Sequence, residues 1–203
     1  MSGIPGQPGA EGAAADALAS PGPQIGLLTG PVGVGKTTVA ERVVGLARRK
    51  GLLCGGLLAP AMTNSCGQKA GIWGVDVETG ERRILARTDR NLSGPLVGPY
   101  SFDAQALDWA VGVINRALEP ATPRACDLVV VDEIGKLELW HGTGLAPVLP
   151  RLAAGAGSRS LVLVRRSLLG ELQARLAPAE QVVFAVDEEN RGALAPQILT
   201  ALM

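Results

Sequence analysis

Apolar residues follow no period over residues 1–23, which are built mainly from Gly, Pro, Ala, Ser and Gln. Such a segment buries too little surface to offset its ordering entropy, so a flexible leader is expected there, ahead of one folded domain over 24–203. Periodicity begins at Gln24. Ile25-Gly26-Leu27-Leu28 is a short apolar run that predicts a buried strand, and Thr38 to Val44 opens a helical pattern that ends near Lys50-Gly51. Leu52 to Ala59 reads as a second buried strand, closed by Pro60. Ala70–Val77 and Arg82–Arg87, separated by Glu78-Thr79-Gly80-Glu81, carry the pattern of a hairpin with Gly in its turn. Residues 88–102 read as loop, and Phe102 to Leu118 as a helix that starts on Asp103 as N-cap or first-turn acid and stops before Pro120. Strand and helix then alternate: Leu128–Val131, Gly144–Ala153, Ser160–Val164, Leu168–Leu176, Gln181–Val186, and a terminal helix from Arg191. This order predicts an α/β fold, a mostly parallel sheet flanked by helices on both faces, with a β-hairpin insertion.

Between the first strand and the first helix stand Gly30-Pro31-Val32-Gly33-Val34-Gly35-Lys36-Thr37-Thr38. The glycines allow a tight turn whose backbone N–H groups face a phosphate, Lys36 places an ammonium on the β and γ oxygens, and the Thr37 hydroxyl is a ligand for Mg²⁺. The helix that follows adds its N-terminal dipole to anion binding. That is a P-loop in the context a P-loop requires, and it makes the fold that of a P-loop NTPase. Downstream, Val129-Val130-Val131 ends in Asp132-Glu133. In a parallel sheet both motifs meet at the carboxyl ends of the strands, which puts Asp132 on Mg²⁺ and Glu133 within reach of the water that attacks the γ-phosphate.

Composition narrows the partners. Lys+Arg and Asp+Glu are both 19 in 203 residues, so no global field draws the chain to nucleic acid or to an acidic membrane. Aromatic residues are 3%, which leaves few platforms for stacking single-stranded bases. No apolar stretch is long enough for a membrane span and no secretory signal opens the chain; a cytoplasmic monomer is expected. Cys54, Cys66 and Cys126 are too far apart in sequence for a zinc knuckle and are expected to be buried thiols. His141 is the sole histidine and reads as surface.

Gly30 to Thr38, the Gly55-Gly56 pair, Val97-Gly98-Pro99-Tyr100, the block Asp132-Glu133-Ile134-Gly135-Lys136-Leu137-Glu138-Leu139 and Asn190-Arg191 together resemble the small stand-alone P-loop nucleoside-triphosphatase family. The resemblance implies Mg²⁺-dependent hydrolysis of the terminal phosphate of ATP, GTP and other nucleoside triphosphates. The chain departs from the family pattern at Ala59-Pro60-Ala61-Met62-Thr63-Asn64 and Gly71-Ile72-Trp73, where family members carry other residues. Asn190 and Arg191 are candidates for base or ribose contact, and Lys136 is either a helix-start charge or a phosphate contact. Arg82, Arg83 and Arg87 are either an arginine finger supplied in cis or solvated strand-edge charges, and Arg165-Arg166 follow a strand whose end faces the nucleotide. Two other classes use the same loop: a kinase acting on a nucleoside or other small molecule, and a nucleotide-dependent switch or accessory protein, for which Asp132-Glu133-Ile134-Gly135 matches Asp-x-x-Gly. No Asn-Lys-x-Asp sequence occurs to read guanine, so a broad base preference is expected.

Overall fold

The computed structural model describes residues 24–120, 125–155 and 159–203; the leader expected over 1–23 lies outside them. Strand β1 (Ile25–Gly30) leads through the glycine-rich loop into helix α1 (Lys36–Arg49) and strand β2 (Cys54–Leu58). Five strands follow: β3 (Ala61–Thr63), β4 (Lys69–Asp76), β5 (Arg82–Arg87), β6 (Ser93–Val97) and β7 (Tyr100–Asp103). Then come α2 (Ala104–Ala117), β8 (Leu128–Ile134), the short α3 (Lys136–Leu139), α4 (Leu149–Ala153), β9 (Arg159–Arg165), α5 (Leu169–Leu176), β10 (Gln181–Ala185) and α6 (Leu194–Leu202).

The described strands form one sheet in the order β10-β1-β9-β8-β2-β4-β5-β7-β6, with β3 paired to β4. From β10 to β2 every pairing is parallel. Such strands are covered on both faces, and the sequence records it as unbroken apolar runs. Neighbours in those runs point to opposite layers. Leu27, Val129, Val131 and Val162 pack with α2, α4 and α5 on one face, while Leu28, Val130, Leu161 and Leu163 pack with α1 and α6 on the other. At Gly56 the backbone has φ +95°, and a Cβ there would run into the Val130 carbonyl, so β2 reaches β8 only with glycine at that place.

Beyond β2 the sheet turns antiparallel. The hairpin expected over Ala70–Arg87 is present as β4 and β5, with Gly80 at φ +77° in the turn, and it joins the main sheet directly through Leu57–Asp76 and Leu58–Val75. Residues 88–102 are not loop. They carry β6 and β7, whose signal in the sequence is broken by Gly94, Pro95, Gly98 and Pro99. Proline is tolerated in β6 because that strand is the sheet edge, where one row of N–H groups has no ladder partner. Two other boundaries move. Pro147 and Pro150 divide the helix expected over Gly144–Ala153 into a 3₁₀ turn and α4. The last helix starts at Leu194 rather than Arg191, because the Asn190 carbonyl accepts from the N–H groups of Ala193 and Leu194 in a turn. Asp103 is the N-cap of α2, its Oδ1 accepting from the Ala106 N–H at 2.8 Å.

Cys54 is buried, and burial pushes its thiol up to about 11; Cys126 is half-buried. Cys66 corrects the expectation of buried thiols. It lies exposed in the β3–β4 turn, where Asn64 Oδ1 accepts from its N–H and fixes the turn.

Candidate functional site

The loop between β1 and α1 turns on Gly33 and Gly35, at φ +80° and +103°, conformations that side chains with a Cβ adopt only at a cost. Gly35 is the residue before the helix. No side chain caps the helix there, which leaves the first N–H groups of α1 without intrahelical partners, an arrangement suited to polyphosphate oxygens. Lys36 folds back over the loop, and its Nζ donates to the carbonyls of Gly30 at 3.2 Å and Pro31 at 3.0 Å.

At the carboxyl end of β8 the register breaks between Val131 and Ile134, and the Asp132–Glu133 peptide bond there is cis. Asp132 is buried, and its Oδ2 accepts from the Ala59 N–H at 2.9 Å. Desolvation pushes this carboxyl up to about 6 against that bond and one from the Thr37 hydroxyl. Glu133 meets Arg165, whose Nε donates to its Oε1 at 2.7 Å. Arg165 ends β9 directly opposite Gly30, so the parallel pairing of β1 and β9 sets it beside the start of the loop. The Lys36 ammonium is pushed down by burial, an effect that Arg165 and Lys69 reinforce and Glu133 and Asp132 oppose. These five groups line a cavity of about 330 Å³ with Val32, Gly33, Gly35, Thr37, Thr38 and Glu41.

A family profile described as NTPase matches residues 26–199. The chain belongs to the NTPase family. It is 32% identical over 173 residues to the nucleoside-triphosphatase THEP1 of Thermofilum pendens, covering 85% of this chain and 91% of that protein. It is 33% identical over 177 residues to the protein of the same name from Methanopyrus kandleri, covering 85% and 92%. Among solved structures, THEP1 from Aquifex aeolicus superposes with a TM-score of 0.68 at 22% identity over 88% of this chain and 98% of that one, a likeness of fold. The human cancer-related nucleoside triphosphatase superposes with a TM-score of 0.64 at 26% identity, over 89% and 97%.

In this NTPase the other expected site residues fare differently. Arg191 lies beside the loop: its Cδ is 3.8 Å from where a Cβ on Gly35 would sit, and it lines a hollow of about 180 Å³ with Thr38, Val39 and Arg42. Asn190 is engaged by its own turn, accepting from the Asp187 N–H and donating to the Ala185 carbonyl and Asp187. The hairpin arginines are engaged away from the phosphate loop. Arg82 stacks on Trp73 and Arg83 on Trp109, each at 4.9 Å, while Arg87 pairs with Asp89. None of the three lines the loop cavity, whose arginine is Arg165; Arg166 is exposed in the following turn. Lys136 opens α3 with its Nζ 4.6 Å from the Trp140 ring, and His141 is exposed.

Two participants escaped the sequence reading. Lys69 looks like an ordinary strand-start lysine, yet β4 runs antiparallel to β2, so its first residue arrives at the carboxyl edge where the phosphate loop sits. Placing the hairpin antiparallel beside the second strand would have found it. The other is Glu138, which is buried and accepts from the Gly135 N–H at 2.8 Å and the Leu145 N–H at 3.1 Å, tying the turn after Glu133 to the next loop. Both its oxygens face donors, so Glu138→Gln turns an amide NH₂ onto a buried N–H. It is expected to cost about 1–3 kcal/mol of stability in urea unfolding, and an unchanged midpoint would overturn this role.

Proposed function

We propose that this NTPase hydrolyses the terminal phosphate of ATP, GTP and other nucleoside triphosphates with Mg²⁺, using residues 24–203 as a single catalytic unit. The observation that carries the reading is the meeting of Lys36, Asp132, Glu133 and Arg165 around one loop cavity. Thr37 and Asp132 fit Mg²⁺. They offer neighbouring hard oxygens, the buried Asp132 carboxylate meeting the Thr37 hydroxyl. Held by Thr37 and Asp132, the cation would supply positive charge to offset the charge that develops as the terminal phosphate is transferred.

The loop from Gly30 to Thr38, with Pro31, Val32 and Val34 between its glycines, wraps the phosphates through its N–H groups. Lys36 exchanges the two loop carbonyls for β and γ oxygens, a stronger set of acceptors. Glu133 orients the attacking water and takes its proton as the water oxygen bonds to the γ-phosphorus and the nucleoside diphosphate leaves. Arg165 holds the Glu133 carboxylate in place and faces the γ-phosphate. Arg191 flanks the base and ribose, and Asn190 braces the turn that carries it. Action as a monomer belongs to the same proposal. No helix among the described residues is long and apolar enough to cross a membrane, and the cytoplasm is the proposed site of action.

Phosphate release measured across the four common nucleoside triphosphates, with Mg²⁺ and with EDTA, tests the reading. Turnover of several bases that stops with chelation is expected, and release indifferent to EDTA would overturn the assignment of Thr37 and Asp132. Arg165→Ala frees Glu133 to swing, and a misplaced catalytic group costs up to about 10²-fold. A fall of that order in kcat with little change in KM is expected, only partly restored by Arg165→Lys, which lacks the planar fork. Wild-type kcat in Arg165→Ala would show that the 2.7 Å pair does not orient the base.

A further inference from the structure

Water attack on a γ-phosphate needs room for little more than one water, about 30 Å³ of liquid volume. The reacting side of this site has far more. A second cavity of about 200 Å³ shares Ala59, Asp132, Glu133 and Arg165 with the loop cavity and extends away from it. Its inner wall is aliphatic, formed by Ile72, Leu85, Leu107, Leu137 and Leu145, all but Ile72 buried. Its lip is the β6–β7 turn, where Val97 and Tyr100 flank Gly98 at φ +56°. An aliphatic hollow offers water few hydrogen-bond partners, so water is easily displaced from it by an apolar body. Lys136 and Glu138 also line it, but Lys136 lies over the Trp140 ring and the Glu138 oxygens are taken by the Gly135 and Leu145 N–H groups. Asp132, Glu133 and Arg165 form the part shared with the loop cavity, so an occupant that fills the hollow presents a polar group to the Glu133 carboxylate.

We infer that this cavity is a second-substrate pocket for a small alcohol with an apolar, ring-sized body, and that the protein transfers the γ-phosphoryl group to its hydroxyl as well as to water. The inference rests on the nucleotide-site reading above. The alcohol oxygen forms a bond to the γ-phosphorus while the bond from that phosphorus to the β–γ bridging oxygen breaks. The electron pair of the broken bond leaves with the nucleoside diphosphate, the hydroxyl proton passes to the Glu133 carboxylate, and the other product is a phosphomonoester. Beyond delivering Lys69 to the loop cavity, the antiparallel extension thereby gains a second use: β4 and β5 contribute Ile72 and Leu85 to the wall of the acceptor pocket, and the β6–β7 turn forms its lip.

The full chain is incubated with Mg²⁺ and ATP radiolabelled in its γ-phosphate, with benzyl alcohol, cyclohexylmethanol or 2-phenylethanol, and labelled phosphomonoester and inorganic phosphate are separated. Phosphomonoester should form saturably with at least one alcohol while phosphate release falls in step. Val97→Trp, which fills the lip, should raise the KM for that alcohol by about tenfold or more; Pro99→Trp, on the exposed turn, serves if the first variant does not fold. Normal phosphate release with no phosphomonoester from any of the three alcohols overturns the acceptor pocket and leaves the nucleotide site standing. A phosphomonoester whose formation neither variant alters puts the acceptor elsewhere and also overturns it. Failure to bind or turn over ATP at all sinks the nucleotide-site reading, and the pocket with it.

Discussion

Glu133→Gln is expected to lower kcat by about 10²- to 10⁴-fold while the Kd for nucleoside triphosphate changes little, because the substitution removes a proton acceptor and not a binding group. The side chain sits at the carboxyl end of β8 beside the buried Asp132, is part-exposed to the cavity, and is held by Arg165 at 2.7 Å. Glutamine keeps the length and still offers an oxygen to the Arg165 guanidinium, so the arrangement of the site survives. What is lost is the negative charge that draws a proton from the attacking water. The effect belongs to the chemical step, and single-turnover hydrolysis of bound ATP should slow as much as kcat does. Hydrolysis at near wild-type speed would exclude Glu133 as the group that activates water.

Much of this site is legible in the sequence because its parts are local. The P-loop is one contiguous stretch between a strand and a helix, and the Asp132-Glu133 pair closes an unbroken apolar run, so both can be placed on the carboxyl edge of a parallel sheet without coordinates. The alternation of Leu27 and Leu28, or of Val129 and Val130, between the two covered faces follows from strand period alone. What stays hidden depends on pairing between distant segments. Arg165 could be named as facing the nucleotide, but its partnership with Glu133 needs the β8–β9 register and the geometry at the strand end. Lys69 enters the site only because β4 runs antiparallel to β2, a direction the hairpin pattern does not specify. β6 and β7 go unread for a different reason: their glycines and prolines are loop signals that an edge strand tolerates. Asn190 and Arg191 form one motif in the sequence, yet the turn at Asp187 spends the first on its own backbone and sends the second to the loop.

Lys36→Ala is expected to lower kcat/KM on the order of 10³-fold, since a preorganised donor aimed at developing phosphate charge is worth about 10²- to 10³-fold in rate and this one also contributes to binding. Its ammonium is half-buried among Asp132, Glu133, Arg165 and Lys69 and is pushed down from its ordinary value by desolvation. A cation in that position gains from the γ-phosphate what it lacks in solvent. The fold should tolerate the loss. The side chain donates only to the Gly30 and Pro31 carbonyls, bonds worth about 1 kcal/mol each, and its removal gives up the attraction of Glu133 and Asp132 but also lifts the larger cost of burying the ammonium. Thermal unfolding of the variant without nucleotide should therefore lie close to wild type, while the stabilisation that ATP and Mg²⁺ add to the wild-type protein should shrink or vanish. The two measurements separate the possibilities. A folded Lys36→Ala protein that still hydrolyses ATP at wild-type kcat/KM would remove the loop lysine from the mechanism. A variant that unfolds before ATP is added would show instead that the two carbonyl bonds hold the loop together.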